Sequence, residues 1–393
     1  MRRQPTVAIV LSGSAAFLNL YATQPLLPLL QRTFGASRFA VGLTVTAPTI
    51  AVALSAPLVG RLADTLGLRR VIVGSAFLLA VTTGLAALST SLSQLIAWRF
   101  VQGITTPGIF AGTIAYIHEM WPAARAGRAT AAYMTGTILG GFTGRALAGL
   151  IAADANWQDA FIALAAISFA IAVALFTSLP AEAGSRHRER SRAGRGALLR
   201  HMRNRQLLTT YAIGFCVLFT NVAVFTYIPF YLAAPPFRLS TAALGWLFVV
   251  YLIGAVVTPF GGRWIDAYGH RAGLALAMAI GAGGALLTLA SSLPAIIVGL
   301  SLVCTGVFIA QTTTSSYIGA VTTGERALAV GLYSTFYYTG GSVGAAAPAA
   351  LWNLGGWPAC VAVVVLLQIA AVVITFAFWR DARRSDPLLE AGV

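Results

Sequence analysis

The segment that decides the fold is Gly60–Arg70, GRLADTLGLRR, which lies between two long apolar runs. It is typical of a tight turn, because glycine allows close backbone approach and aspartate can bind the positive N-terminal end of a neighbouring helix. The segment recurs 202 residues later as Gly262–Arg271, with four identities: Gly60 and Gly262, Asp64 and Asp266, Gly67 and Gly269, Arg69 and Arg271. A duplicated loop in a chain of 393 residues predicts two similar halves.

The composition around this loop is that of a membrane protein. The chain is 58% hydrophobic and only 9% charged, whereas soluble domains are about 25% charged. A spanning helix needs roughly 20 apolar residues. Twelve runs qualify, near 7–30, 40–59, 71–89, 94–118, 127–152, 159–179, 206–232, 241–261, 272–290, 294–319, 326–350 and 356–379. We therefore predict an all-α membrane protein with two pseudo-symmetric six-helix bundles, at 1–179 and 206–393, joined by a basic cytoplasmic linker at 180–205.

The positive charge reports topology rather than nucleic-acid binding. All 26 basic residues are arginine. By this helix assignment only Arg32, Arg38 and Arg238 lie in loops on the side opposite the N-terminus, and Arg99 and Arg145 lie inside helices. The positive-inside rule then predicts cytoplasmic N- and C-termini and contact with the lipid bilayer.

Catalytic and metal chemistry find no support in the sequence. The three cysteines, Cys216, Cys304 and Cys360, fall in apolar runs and are predicted to be buried and unpaired. No metal-ligand cluster, nucleophile triad or Walker motif is present, so we predict no metal, no cofactor and no ATP drive.

The duplicated loop resembles the segment between the second and third helices of the major facilitator superfamily, G-x-L-a-D-r-x-G-r followed by a basic residue. Matching positions are Gly60, Leu62, Ala63, Asp64, Gly67 and Arg69; Thr65 and Leu68 depart from the usual basic residues. Two further segments are similar to family patterns: Arg99–Gly103, RFVQG, to the fourth-helix R-x-x-Q-G, and Asn19–Pro28, NLYATQPLLP, to the YnfM-like branch of bacterial efflux permeases. Length, helix number and repeat extend the resemblance to the whole chain.

The resemblance implies roles for two groups of residues. In the first, the loop motif controls closure at one end of the protein, with Glu119 pairing with a loop arginine. Candidate gating residues are Gly60, Asp64, Gly67, Arg69, Arg70, Glu119, Asp266 and Arg271. In the second, the fourth-helix arginine is linked to proton coupling in antiporters. Candidate proton-coupling residues are Arg99, Gln102, Arg145 and Glu119. Arg99 lies near the outer end of its helix, so an alternative is that it extends to water.

Polar groups in apolar helices mark the candidate substrate site, because they are costly in lipid unless they face protein or water. Arg145 interrupts a glycine-rich fifth helix, where the family's antiporters have proline, and its repeat partner at +200 is Ala345. An asymmetric charge in a symmetric scaffold favours a functional role. Candidate substrate-binding residues are Asn19, Tyr21, Gln24, Arg145, Asn221, Tyr227, Tyr333 and Tyr337. The alternative for the amides is hydrogen bonding between helices, and for the tyrosines simple helix packing.

These observations predict a secondary transporter that works by alternating access around a midplane site. The expected activity is proton-coupled efflux of a small organic solute or drug-like compound by a monomer in the bacterial inner membrane. Unpaired arginines favour anionic or neutral polar substrates. Uptake or facilitated diffusion of a sugar or organic anion is the alternative. A membrane enzyme or sensor is disfavoured, because a duplicated cavity-lining scaffold serves transport.

Overall fold

A computed structural model describes residues 6–180, 201–322 and 326–379, which are almost entirely helical and contain no strand. The α-helices are α1 Thr6–Leu20, α2 Leu27–Phe34, α3 Arg38–Ser55, α4 Val59–Leu66, α5 Leu68–Ala87, α6 Leu92–Met120, α7 Ala123–Asp154, α8 Trp157–Ser178, α9 Arg205–Ala233, α10 Thr241–Trp246, α11 Ile253–Leu287, α12 Leu293–Val321, α13 Arg326–Ala346 and α14 Pro348–Phe378. Short 3-10 turns occupy Gln24–Leu26, Ala56–Leu58 and Leu247–Leu252.

These helices form twelve spans in two six-helix bundles, as the sequence predicts. Ten helical segments in the described residues are long and apolar enough to cross a membrane by themselves. The shorter apolar segment Thr241–Leu252 continues into α11 and forms the eighth span, and α13 with the first part of α14 supplies the remaining span. The eighth span ends and the ninth begins within α11, where they meet at Gly269.

The two copies of the signature loop share one backbone conformation. Gly67, between α4 and α5, has φ 85° and ψ 148°, and Gly269 has φ 82° and ψ 166°. Only glycine adopts this region without strain. The duplication predicted from the loop sequence is therefore confirmed in the backbone.

The connection between the eleventh and twelfth spans lies close to the predicted gap between residues 350 and 356. Gly355 and Gly356 leave the helical region inside α14, with φ −159° and 62°, so the twelfth span begins after them. The eleventh span starts at Arg326 and passes through Ala347, whose backbone is helical, into the first part of α14. Pro348 interrupts the helical hydrogen bonds at that point, because proline has no backbone N–H donor.

Small residues bring α7 against α1. A methyl group at Gly136, Gly140 or Gly144 would overlap the carbonyl oxygens of α1, at Val10, Ser14 and Leu18 respectively. In the second half, Gly340 and Gly344 of α13 make the equivalent approach to Phe215 and Phe219 of α9. These glycines therefore form a packing surface, which holds the face of α7 that carries Arg145 beside the end of α1.

The halves touch along α3 and α13 and at the end of the bundle that carries the loops 35–37, 88–91, 155–156, 234–240, 288–292 and 355–356, here called the Gly35 end. Thr46 and Ser342 exchange side-chain to carbonyl hydrogen bonds at 3.3 and 3.2 Å. Gly149 of α7 lies directly against Gly245 of α10. Arg38 places its guanidinium carbon 5.0 Å from the Trp352 ring centroid. We call the opposite end, with the loop at Gly67, the Gly67 end.

Four parts of the predictions lie outside the described residues: most of the predicted linker, the N-terminal five residues, the C-terminal tail from residue 380 and the side chain of Asp266.

Candidate substrate site between the two halves

Arg145 lies in the middle of the protein, on α7, with 2% of its surface exposed. Its Nε donates to Gln24 Oε1 at 2.8 Å, and its Nη1 donates to the carbonyl oxygen of Gly141 at 2.6 Å. The other terminal nitrogen, Nη2, has no hydrogen-bond partner among the described residues. A guanidinium has five N–H donors in one plane, so the two N–H groups of Nη2 remain available for a ligand.

Three aromatic rings surround the same guanidinium. Its central carbon lies 4.9 Å from the ring centroid of Tyr21, 4.9 Å from that of Phe248 and 4.5 Å from that of Tyr251. Each such contact contributes roughly 0.5–2 kcal/mol. Tyr21 belongs to the first half, whereas Phe248 and Tyr251 lie in the 3-10 turn of the eighth span, so Arg145 contacts both halves.

Gln24 joins the halves directly. Its Nε2 donates to Thr226 Oγ1 of α9 at 3.2 Å. The two residues are 202 positions apart, the period of the repeat, so this bond connects equivalent sites across the pseudo-two-fold axis. Because Arg145 Nε must meet an acceptor, the network itself fixes which end of the Gln24 amide carries oxygen.

A break in the first span places Tyr21 and Gln24 at the centre. α1 ends at Leu20, and the chain turns before α2 begins at Leu27. Pro25 and Pro28 have no backbone N–H donor, so a regular helix cannot continue through this stretch. The sequence signal for the break is therefore the pair of prolines in an otherwise apolar helix.

Arg99 belongs to a different network, within the first half. Its Nε donates to Thr44 O at 3.0 Å, Nη1 to Asn19 O at 2.8 Å and to Gln102 Oε1 at 2.5 Å, and Nη2 to Leu20 O at 2.5 Å. The side chain is fully buried. The suggestion that it extends to water is wrong, because the carbonyls at the end of α1 provide its partners inside the protein.

The other predicted amides also face the first half. Asn19 Nδ2 donates to Ser168 Oγ of α8 at 2.8 Å, and Gln102 Nε2 donates to Thr83 Oγ1 of α5 at 3.1 Å. Asn221, the repeat partner of Asn19, instead accepts a hydrogen bond from the Tyr251 hydroxyl at 2.9 Å. Asn221 therefore adjoins the Arg145 site, and Asn19 does not.

The predicted tyrosines divide in the same way. Tyr333 and Tyr337 have ring centroids 5.6 Å apart, and Tyr337 lies near Tyr21 and Tyr251. Tyr227 donates to Ala345 O at 2.8 Å, a bond between α9 and α13 that suits helix packing.

Three residues of the site were not predicted: Thr226, Phe248 and Tyr251. Thr226 could have been found as the repeat partner of Gln24. Tyr251 aligns with Thr49 and Phe248 with Thr46, so both break the repeat as Arg145 does, and that asymmetry was a usable signal.

The candidate gating residues lie at the Gly67 end. Arg69 donates to the carbonyl oxygens of Leu179 and Phe176 at 2.8 and 2.7 Å, and Arg271 donates to Phe376 O at 2.7 Å. Each arginine thus holds the last turn of the sixth or twelfth span. Remaining candidates in this region are exposed or partly exposed: Gly60, Asp64, Gly67, Arg70 and Glu119.

Within the described ranges, no group of three metal-ligating side chains is present, and Cys216, Cys304 and Cys360 are free and buried.

Comparison with known proteins agrees with this architecture. The family model described as "Major Facilitator Superfamily" matches residues 9–242 and 232–392. The "Uncharacterized MFS-type transporter YybF" of Bacillus subtilis (strain 168) is 31% identical over 100% of this chain and 97% of its own length. The "Inner membrane transport protein YnfM" of Escherichia coli (strain K12) is 29% identical over 94% and 89%. A solved bacterial homologue of the human lysosomal transporter Spinster, inward-facing and unoccupied, has a TM-score of 0.74 at 16% identity, covering 95% of both chains.

Proposed function

Because the chain belongs to the Major Facilitator Superfamily, a family of transporters rather than enzymes, we propose that it exports a small organic anion by proton-coupled alternating access. The halves 1–179 and 206–393 rock about the site at Arg145, and the linker 180–205 joins them. Its place is the bacterial inner membrane, as the name of the YnfM relative supports. The arginine distribution supports cytoplasmic termini. The protein works as a monomer, without nucleic acid.

The observation that carries the substrate class is the environment of Arg145. Among the described residues, no Asp or Glu side chain is buried, so no carboxylate neutralises this guanidinium. A buried, unpaired charge costs several kcal/mol, which aromatic contacts offset only in part. A ligand with a carboxylate or sulfonate would supply the missing charge and hydrogen bonds.

The remaining predicted substrate residues fit this proposal unequally. Tyr21, Gln24 and Asn221 border the guanidinium or its rings, and Tyr333 and Tyr337 extend an aromatic wall along α13. These aromatic surfaces suit the organic part of an amphipathic anion. Asn19 and Tyr227 serve helix packing in the conformation described, so we assign them a supporting role.

Gating and coupling are proposed for separate regions. Gly60, Asp64, Gly67, Arg69, Arg70 and Glu119, with Asp266 and Arg271 in the second copy, control closure at the Gly67 end. Proton coupling involves Glu119 and the cavity arginine Arg145. Arg99 and Gln102 contribute to the cycle by positioning the broken first span, a role that the hydrogen bonds from Arg99 to Gln102 and to the end of α1 support.

The test is a transport assay in proteoliposomes with a pH-sensitive dye inside. Benzoate, methanesulfonate, glucose and tetraphenylphosphonium are added in turn, under both directions of pH gradient. The proposal predicts anion flux accompanied by proton movement, with no flux of the cation. Anion flux without proton movement would favour facilitated diffusion, the alternative. Glucose or cation flux without anion flux would contradict the anionic substrate class.

A further inference from the structure

The Gln24 amide lies where a bound anion would need to be. A guanidinium binds a carboxylate most strongly in a bidentate arrangement, through two parallel N–H groups on one edge. Arg145 has its Nη1 committed to Gly141, four residues earlier in the same helix. That carbonyl is fixed by the helix backbone and cannot move away, so an anion cannot take its place at Nη1. The other edge, formed by Nε and Nη2, is occupied only by the Gln24 side chain.

The same Gln24 amide also holds the two halves together. Its oxygen faces Arg145 and its nitrogen faces Thr226, so a rotation that removes the oxygen from Nε also moves the nitrogen away from Thr226. The Thr226 hydroxyl belongs to the second half and Gln24 to the first. A change at Arg145 is thereby transmitted to a contact between the halves.

We propose that a carboxylate or sulfonate binds the Nε–Nη2 edge of Arg145 by displacing Gln24 Oε1, and that this displacement breaks the Gln24–Thr226 bond and favours opening at the Gly35 end. This inference rests on the proposed anion function and names Gln24 as its positioning residue. Thr226 is the partner through which Gln24 acts.

The mechanism makes two opposite predictions for Gln24→Ala. Benzoate binding becomes tighter by about three- to tenfold, because the anion no longer competes with a neutral hydrogen bond. Transport becomes slower, because binding no longer releases a contact between the halves. A merely structural role for Gln24 would weaken binding or leave it unchanged. Isothermal titration of benzoate and initial transport rates measure the two quantities.

Thr226 offers a test that needs no ligand. Spin labels at Thr90→Cys and Ser291→Cys, two exposed positions at the Gly35 end on different halves, report opening there by their distance distribution. The three buried cysteines are first replaced by alanine. Thr226→Val keeps the shape but removes the hydroxyl, and it should raise the ratio of open to closed molecules about three- to tenfold.

Two matched variants control this experiment. Thr220→Val lies in the same helix, and its buried hydroxyl has no hydrogen-bond partner among the described residues, so the ratio should not change. Thr226→Ser keeps the hydroxyl and should behave as the wild type. Benzoate, acetate and methanesulfonate should raise the open fraction in the wild type and have a smaller effect in Thr226→Val.

These outcomes distinguish failure of the displacement mechanism from failure of the proposed anion function. If Thr226→Val matches Thr220→Val, or if Gln24→Ala weakens benzoate binding or leaves it unchanged, the displacement mechanism is overturned while the anion function stands. If none of the three anions changes the distance distribution of the wild type or binds to it, both the displacement mechanism and the proposed anion function fail.

Discussion

Arg99 and Arg145 are both buried arginines inside membrane helices, yet their surroundings differ in kind. Arg99 donates four hydrogen bonds, three of them to backbone carbonyls, and all its partners belong to the first half. Arg145 donates two, is bordered by three aromatic rings and contacts both halves. A guanidinium with four of its five donors bound inside one half fixes a structure. One with an unpartnered Nη2 at the interface between the halves can bind a ligand and respond to it.

The largest expected effect concerns stability and belongs to Arg99. Arg99→Ala leaves the carbonyls of Asn19, Leu20 and Thr44 without their donor and opens a cavity. We expect a loss of about 3–5 kcal/mol in stability. Thermal unfolding in detergent should show a large drop in the midpoint. Arg145→Ala should retain nearly the wild-type midpoint. A larger drop in midpoint for Arg145→Ala than for Arg99→Ala would contradict the structural role of Arg99.

Gly144 should be the next most sensitive position, because the Arg145 face of α7 depends on close contact with α1. Gly144→Ala would push its methyl group into the Leu18 carbonyl, with an expected cost of about 1–3 kcal/mol. Gly127→Ala, in the same helix but facing open space, is the matched control. It should be neutral or stabilising by up to about 1 kcal/mol. Equal destabilisation of both variants would contradict the packing assignment.

The fold was largely predictable, because apolar run length and a repeated loop depend on composition and spacing alone. Arg145 was predictable as a functional candidate for a similar reason, since it breaks the repeat. The hydrogen bonds of Arg99 were not predictable, because they depend on where the backbone carbonyls of a broken helix point. Likewise, hydropathy does not register the interruption at Pro348 inside the eleventh span, because it depends on the missing backbone N–H of proline.

A smaller loss of stability is expected for the Asn19–Ser168 hydrogen bond, which lies in the first half with Arg99. Ser168→Ala removes the acceptor for Asn19 Nδ2 and should cost about 0.5–1.5 kcal/mol of stability. Benzoate affinity should stay at the wild-type value, because this bond lies apart from the Arg145 network. A change in affinity without a change in unfolding midpoint would show that Asn19 takes part in the substrate site after all.

The most direct test of the central assignment is the affinity of benzoate for the purified protein with arginine, lysine or alanine at position 145. A charged hydrogen bond contributes about 1.5–3 kcal/mol, so Arg145→Ala should weaken binding roughly 10- to 150-fold. The affinity of Arg145→Lys should be intermediate, because lysine keeps the charge but cannot form the bidentate hydrogen bonds. Equal affinities for all three proteins would contradict the assignment of Arg145 as the anion-binding group.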